Sequence, residues 1–195
     1  MVGLNTAVRL VSAFALMASC ALPEGTGSEP SDAYYRWLAA AKAGDTDVLW
    51  RMVPKTTRAS FESWVKAERE TAALIPTAYS GKDQEAARKK LHAARYKDGK
   101  ALYMAIFSKP GSELGLLARL GARVRSVETT ETGATITTWA GNRIVLRADG
   151  SGGHTIDLPA AQSKRIQRYL EQARVNLHAI RKRIQTLKKL RWPKP

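Results

Sequence analysis

Cysteine and histidine are scarce, since the chain of 195 residues holds one cysteine and three histidines. Cys20 therefore has no partner for a disulfide within the chain. A metal site needs a cluster of His, Cys or carboxylate ligands, and His92, His154 and His178 are widely separated in the sequence. The sequence also contains no Gly-x-Gly-x-x-Gly fingerprint and no P-loop. We therefore predict no metal site and no cofactor.

The apolar segment near the N-terminus is too short to cross a membrane. It reads LVSAFALMA, whereas a membrane-spanning helix needs roughly 20 apolar residues. Arg9 precedes this segment. The segment ends at Ala18, which is followed by another small residue, Ser19. A positive charge, a short apolar run and small residues before a cleavage point are typical of a secretory signal peptide. The first 20 residues therefore predict export.

The five residues LMASC, at positions 16–20, resemble the lipobox of bacterial lipoproteins, although Met17 stands where leucine is usual. In that family the cysteine sulfur receives a lipid and a peptidase cleaves before the cysteine. The resemblance implies a signal peptide over residues 1–19, lipid attachment at Cys20 and a membrane-anchored envelope protein. Ala21 stands where an aspartate often specifies inner-membrane retention, so the resemblance favours the outer membrane, on its periplasmic or surface face.

Residues 20–31 are rich in Pro, Gly, Ser and acidic residues. Such a segment buries too little apolar surface to fold by itself, and we interpret it as a flexible tether. Two alternatives to the lipoprotein remain open. One is an ordinary secreted protein with a spectator cysteine, and the other is a cytosolic protein with an apolar N-terminal helix.

Positive charge is in excess, with a formal net charge of +15 at pH 7. Residues 160–195 alone contain 11 Lys and Arg against one acidic residue. This asymmetry predicts an anionic partner for that segment. After export, the candidates are phospholipid headgroups, lipopolysaccharide phosphates, acidic wall polymers or an acidic protein. A nucleic-acid site would need aromatics among the basic residues, and only Tyr169 and Trp192 meet that need, so we do not expect one.

The remaining sequence predicts an α+β fold, with N-terminal helices on one face of a small antiparallel sheet and a long basic helix at the C-terminus. We expect an α+β domain over residues 32–159, with helices over about 32–120 and strands over about 122–158, and a basic amphipathic helix over 160–192. Ser31 or Asp32 would cap the first helix, and Gly44 would end it. The predicted third helix runs from about Thr57 to Leu74, with Pro76 beyond its end. The fourth starts at a capping box and reaches about residue 94, and two short helices at 100–120 are split at Pro110-Gly111.

Residues 122–158 predict four short strands joined by tight turns. Along a strand, residues of the same parity, that is every second position, lie on one face of the sheet. The apolar set predicts the face covered by helices: Ile136, Ile144, Leu146, Ile156 and Leu158. The other parity holds Thr135, Thr137, Trp139, Arg143, Arg147 and Asp157. We interpret Trp139 as a sheet residue that the C-terminal helix partly covers.

The C-terminal helix carries an apolar seam at heptad spacing: Ile166, Leu170, Ala173, Leu177, Ile180, Ile184 and Leu187. We expect the first half of the seam, to about Leu177, to dock on the protein's own core, which favours a monomer. The second half would project and bind an anionic partner. The candidate binding residues are Arg174, Arg181, Lys182, Arg183, Lys188 and Lys189.

Two segments resemble the cone-shaped α+β fold of ketosteroid isomerases and nuclear transport factor. They are AAAKAGDTDVLWRMV and the strand series VRSVETTETGATITTWAGNRIVLRADGSGGHTIDL. Members of that family bind small molecules, form protein interfaces or catalyse, so the resemblance does not imply one function. The early strands of that fold are not evident here, and the long C-terminal helix is additional. The isomerases use an Asp base in an apolar pocket, and Asp157, by analogy the base, has the polar parity.

No set of residues in this sequence specifies a reaction. Nucleophilic catalysis needs a base held near a Ser, Cys or Thr, and Ser151-Gly152-Gly153-His154 is better explained as a hairpin turn. We therefore predict a non-enzymatic envelope lipoprotein that binds an anionic or protein partner through its C-terminal helix. The alternative is a small-molecule-binding or enzymatic domain with the cone fold. A deep apolar cavity holding one or two buried polar groups would favour that alternative.

Overall fold

A four-stranded antiparallel sheet carries helices on one face, in a computed structural model that describes residues 29–107 and 123–191. The helices are α1 Pro30–Ala43, α2 Thr46–Arg51, α3 Lys55–Ala78, α4 Lys82–Lys89, α5 Gly99–Phe107 and α6 Ala160–Arg191. The strands are β1 Val124–Thr130, β2 Gly133–Thr138, β3 Arg143–Ala148 and β4 His154–Ile156. The spatial order β1-β2-β3-β4 follows the sequence. The predicted fold class is confirmed.

The alternating pattern of the strands determines which face of the sheet is covered. Ile136 pairs with Ile144, and Leu146 pairs with Ile156, so these side chains share one face. The predicted inward residues, including Leu158 after β4, are all buried in the main hydrophobic core. Helix α1 packs against this face and contacts β1, β2 and β4. The predicted parity is therefore confirmed, as expected for a sheet with one solvated face.

Helices α3 and α6 run parallel to each other and share a long interface. The contacts advance together along both helices: Gln167 bonds to Ser60, Arg181 bonds to Glu70, and Arg183 bonds to the carbonyl of Ala78. The seam of α6 supplies Ile166, Leu170 and Ala173 to the main core and Ile180 and Ile184 to a second cluster with Ile75 and Ala78. The heptad pattern thus finds its partner inside the same chain.

A buried carboxylate fastens the segment after α4 to α3. Glu68 is 6% exposed. It accepts hydrogen bonds from Trp64 Nε1 at 2.7 Å and from the backbone N–H groups of Ala93 and Ala94 at 2.6 and 3.2 Å. Buried charged groups are tolerated when such bonds satisfy them. Glu68 therefore has a structural task, which its place in the apolar stripe of α3 did not reveal.

Several predicted helix ends are wrong, for local reasons. Helix α1 begins at Pro30 after Glu29, so Ser31 and Asp32 lie within the first turn and do not cap it. Gly44 does end α1, with the positive φ of 70° that glycine tolerates. The capping box before α4 does not form, because Gly81 occupies the N-cap position without a side-chain bond.

The predicted lengths of α3 and α4 also need correction. Pro76 lies inside α3, which continues to Ala78 rather than ending at Leu74, because Ile75 and Ala78 pack against α6. Helix α4 ends at Lys89, well before residue 94. The predicted break at Pro110-Gly111 lies outside the described residues. Only the first of the two helices predicted there is described, as α5.

Candidate functional site: the outward face of the C-terminal helix

Helix α6 separates apolar and basic residues onto two faces. All seven seam residues are buried or half-buried, with Ile180 at 2% exposure and Ile184 at 9%. The predicted end of docking near Leu177 is wrong, because Ile180 and Ile184 continue the contact with Ile75 and Ala78. The face opposite the seam is open to solvent and carries most of the cations of the helix. The candidate site is therefore the flank of a docked helix rather than a projecting arm.

Two of the six candidate binding residues take part in holding α6 to the domain. Arg181 forms an ion pair with Glu70 at 2.8 Å. Arg183 donates through Nε to the carbonyl oxygen of Ala78 at 2.8 Å, and its guanidinium lies 4.6 Å from the ring centroid of Tyr79. Both guanidinium groups therefore stabilise the helix interface, which the sequence pattern alone did not indicate.

The other four candidate residues are exposed and have no acidic partner within the described part of the chain: Arg174, Lys182, Lys188 and Lys189. Lys188 and Lys189 follow Ile184, the last residue of α6 in the buried clusters. They lie about one turn further along the helix, at roughly 1.5 Å per residue. Unpaired cations on a rigid helix produce a positive surface that attracts anions, and its strength falls as salt rises.

The aromatic residue on α6 is engaged within the protein. Tyr169 stacks on Trp64 with ring centroids 5.0 Å apart and an interplanar angle of 20°. Its hydroxyl accepts a hydrogen bond from Arg165 Nε at 3.0 Å. A face of this ring is thus covered, which does not favour its use as a stacking platform for bases. Trp192, the second aromatic in this segment, lies outside the described residues.

The grooves beside β3 and beside α1 are open to solvent rather than enclosed. The groove beside the open end of β3 has a volume of about 410 Å³ and is lined by exposed Arg143 and Val145 as well as apolar Trp37 and Leu158. The buried Glu68 carboxylate is satisfied by N–H donors, whereas Arg58 Nε and His154 Nδ1 are buried without a hydrogen bond. Burial raises the pKa of the Tyr103 hydroxyl, so this phenol stays protonated at neutral pH. Asp157 lines the first groove, but its carboxylate is paired with Arg147. A second groove of about 490 Å³ is lined by Asp149 and His154.

The residues considered for catalysis have structural roles. Asp157 forms an ion pair with Arg147 at 2.6 Å, on the polar side of the sheet. Asp149 accepts hydrogen bonds from the backbone and side chain of Ser151, which lower the pKa of Asp149 and shape the β3–β4 turn. Within residues 29–107 and 123–191, no three His, Cys, Asp or Glu residues come together as a metal site. The predicted turn is observed at Ser151–Gly153, and His154 is already the first residue of β4.

The N-terminal candidate, Cys20, lies outside the described residues. In the described ranges, none of the helices combines the length and apolar character that crossing a bilayer requires. The chain begins its described course at Glu29, one residue before α1. Lipid attachment at Cys20 therefore stays a prediction from the lipobox pattern.

The predicted partial cover of Trp139 by the C-terminal helix is wrong. It follows β2 in the turn to β3, is 70% exposed, and is not covered by α6. The guanidinium carbon of Arg125 lies 5.6 Å from its ring centroid. Its position beside the turn residues Gly141 and Asn142 was the available signal, because loop tips extend away from a packed face.

Comparisons with known proteins found no matching family model, no matching curated protein and no matching solved structure. The resemblance to the cone fold therefore stays a prediction, as does the lipobox.

Proposed function

We propose that this chain is a non-enzymatic, lipid-anchored protein of the bacterial envelope that presents the outward face of α6 to an anionic partner. A lipid on Cys20 and the predicted tether, shortened to end at Glu29 because α1 begins at Pro30, would hold the domain at the membrane. The export pattern of residues 1–20 and the composition of the tether support this part of the proposal.

One observation supports the binding role above the others: α6 carries exposed cations with no acidic partner in the described residues, on a helix that a buried seam fixes in place. Lys182, Lys188 and Lys189 belong to this set. A fixed helix loses little conformational entropy when it binds, so its charges are already arranged for a partner. Each such cation adds about 1 kcal/mol near an anionic lipid surface. An anionic envelope surface is therefore the partner that we favour over an acidic protein.

The second candidate, a small-molecule-binding or enzymatic cone-fold domain, has less support. Its expected signature is an enclosed apolar cavity with a few buried polar groups. The described grooves are open and bordered by exposed charged residues such as Arg143 and Lys164. The buried Glu68 is already used by three N–H donors. The described grooves and the satisfied Glu68 therefore support a small-molecule site less than they support contact through the outward face of α6.

A vesicle-capture experiment tests both parts of the proposal. The full-length chain, processed in a bacterial host, is reconstituted into phosphatidylcholine vesicles, and capture of labelled phosphatidylglycerol vesicles is measured. We expect Lys182→Glu, Lys188→Glu and Lys189→Glu together to weaken capture by about a hundredfold or more, since each lost cation contributes about 1 kcal/mol. We also expect wild-type capture to decline as salt increases.

The matched control reverses three exposed lysines on other elements: Lys42→Glu, Lys55→Glu and Lys66→Glu. This variant has the same net charge as the α6 variant, so it should retain capture if location on α6 matters. Equal losses in both variants would contradict the α6 site. Cys20→Ser should abolish incorporation into the first vesicle, and unchanged incorporation would contradict the lipid anchor.

A further inference from the structure

The most exposed tryptophan in the described chain lies in the turn between β2 and β3. Trp139 is 70% exposed, whereas Trp37 and Trp64 are 3% and 4% exposed. Leaving an indole ring in water forgoes a large hydrophobic gain. The nearby guanidinium of Arg125 covers part of the ring but leaves most of it open. A single exposed apolar residue is common on protein surfaces, so Trp139 indicates a contact only together with the residues around it.

This tryptophan lies close to the point where the described chain begins. The backbone N–H of Trp139 donates to the backbone carbonyl of Arg123 at 2.9 Å. The next residue, Val124, donates its N–H to the Tyr35 hydroxyl at 3.3 Å. Tyr35 is 44% exposed and lies in the first half of α1, about five residues from its start at Pro30. Trp139, the start of β1 and the start of α1 therefore share one end of the molecule.

The same end of the molecule carries free positive charge. Arg123 and Arg125 are exposed, and neither forms an ion pair with a carboxylate of the described residues. The neighbouring Arg143 differs, because it lies 3.7 Å from Glu128. We name Arg123, Arg125 and Trp139 the Trp139 patch. It combines an amphipathic ring with two cations, which is the combination that anionic membrane interfaces bind.

We propose that the Trp139 patch contacts the anionic bilayer that holds the lipid of Cys20. This inference rests on the proposed lipid anchor. Nine peptide units separate Cys20 from Glu29, so even a fully extended tether keeps α1 within ~30 Å of the bilayer. Because α1 stays this close to the bilayer, the patch can reach the lipid surface and act as a second membrane signal beside the lipid. Lipid anchors commonly need such a second signal for stable attachment.

The position of the patch gives the anchored domain an orientation. Helix α6 starts near the same end, since Arg143 of β3 and Lys164 of α6 border one groove. From Lys164 to Lys188 the helix rises ~36 Å. The exposed lysines at its far end therefore lie well away from the Trp139 patch. The patch would contact the anchoring bilayer, and the end of α6 would face a second anionic surface.

Quenching by brominated lipid tests the patch. The full-length processed chain is reconstituted into vesicles of equal parts brominated phosphatidylcholine and phosphatidylglycerol, and only protein that floats with the vesicles is measured. The contribution of Trp139 is the difference between wild type and Trp139→Phe. We expect this contribution to be quenched by the lipid and protected from aqueous acrylamide. Arg123→Gln with Arg125→Gln should lower the ratio of membrane-bound to free patch, measured from the quenching of Trp139, by about fivefold for each arginine removed.

The control variant, Lys188→Gln with Lys189→Gln, loses the same charge at the far end of α6 and should leave the Trp139 signal quenched. Flotation without quenching would overturn the patch while leaving the anchor intact. Loss of quenching in the α6 variant but not in the Arg123 and Arg125 variant would also overturn it. Protein that fails to float would overturn the anchor, and the patch proposal with it.

Discussion

The two faces of strand β3 differ although they alternate residue by residue. Ile144 and Leu146 are 5% and 2% exposed on the face that packs against helices, whereas Val145 between them is 49% exposed. Helix α6 repeats this contrast, with Ile180 at 2% and Val175 at 51%. In both elements, buried and exposed side chains therefore lie on opposite faces. The covered faces form the core, and the open face of α6 carries the cations of the proposed contact.

The largest expected effect comes from placing a charge on each face of β3 in turn. Ile144→Asp should unfold the domain, because an unpaired carboxylate in the core costs several kcal/mol. Val145→Asp makes the same change of charge on the open face and should alter the free energy of unfolding by less than ~1 kcal/mol. Chemical denaturation of both variants provides the measurement. Equal melting of the two would show that the two faces are not distinguished as described.

A smaller effect should separate the two faces of α6. Ile180→Ala removes a side chain buried with Ile75 and Ala78, and should lower the free energy of unfolding by about 2–5 kcal/mol. Val175→Ala changes an exposed residue and should stay within about 0.5 kcal/mol of wild type. If Ile180→Ala proves as mild as Val175→Ala, the second half of α6 does not dock and projects after all.

The smallest of the three effects compares a buried carboxylate with an exposed one. Glu68→Gln replaces an oxygen acceptor by an amide donor in front of N–H groups and should lower the free energy of unfolding by about 1–3 kcal/mol. Glu85→Gln disrupts only the exposed ion pair with Lys89, and should cost less than ~1 kcal/mol. Amide hydrogen exchange at Ala93 and Ala94 should accelerate in the Glu68 variant alone. Unchanged exchange at both amides would contradict the fastening role of Glu68.

Periodic signals allowed correct prediction of the covered faces. Ile136, Ile144 and Leu146 alternate with polar residues, and the heptad residues of α6 recur at a helical period, so each pattern specifies which side is buried. The helix ends were predicted less well, because they depend on tertiary contacts. Helix α3 passes Pro76 since Ile75 and Ala78 find partners on α6, about one hundred residues later in the chain.

The candidate site was predictable only in part, for a related reason. The excess of cations in α6 is a property of composition, and it was visible in the sequence. Which cations are free depends on what lies beside them: Glu70 takes Arg181, and Arg183 reaches the end of α3. The exposure of Trp139 likewise depends on which elements cover the sheet. A single sequence does not specify those neighbours.

The parallel pairing of α3 and α6 has a consequence for the order of folding. Because α6 begins more than eighty residues after α3 ends, the face of α3 that Tyr169, Ile180 and Ile184 cover stays open until α6 has been synthesised. Contacts between segments so distant in sequence form slowly, and the waiting apolar surface is prone to aggregation. The nascent chain should therefore leave this face of α3 open to a holding chaperone until α6 has been made.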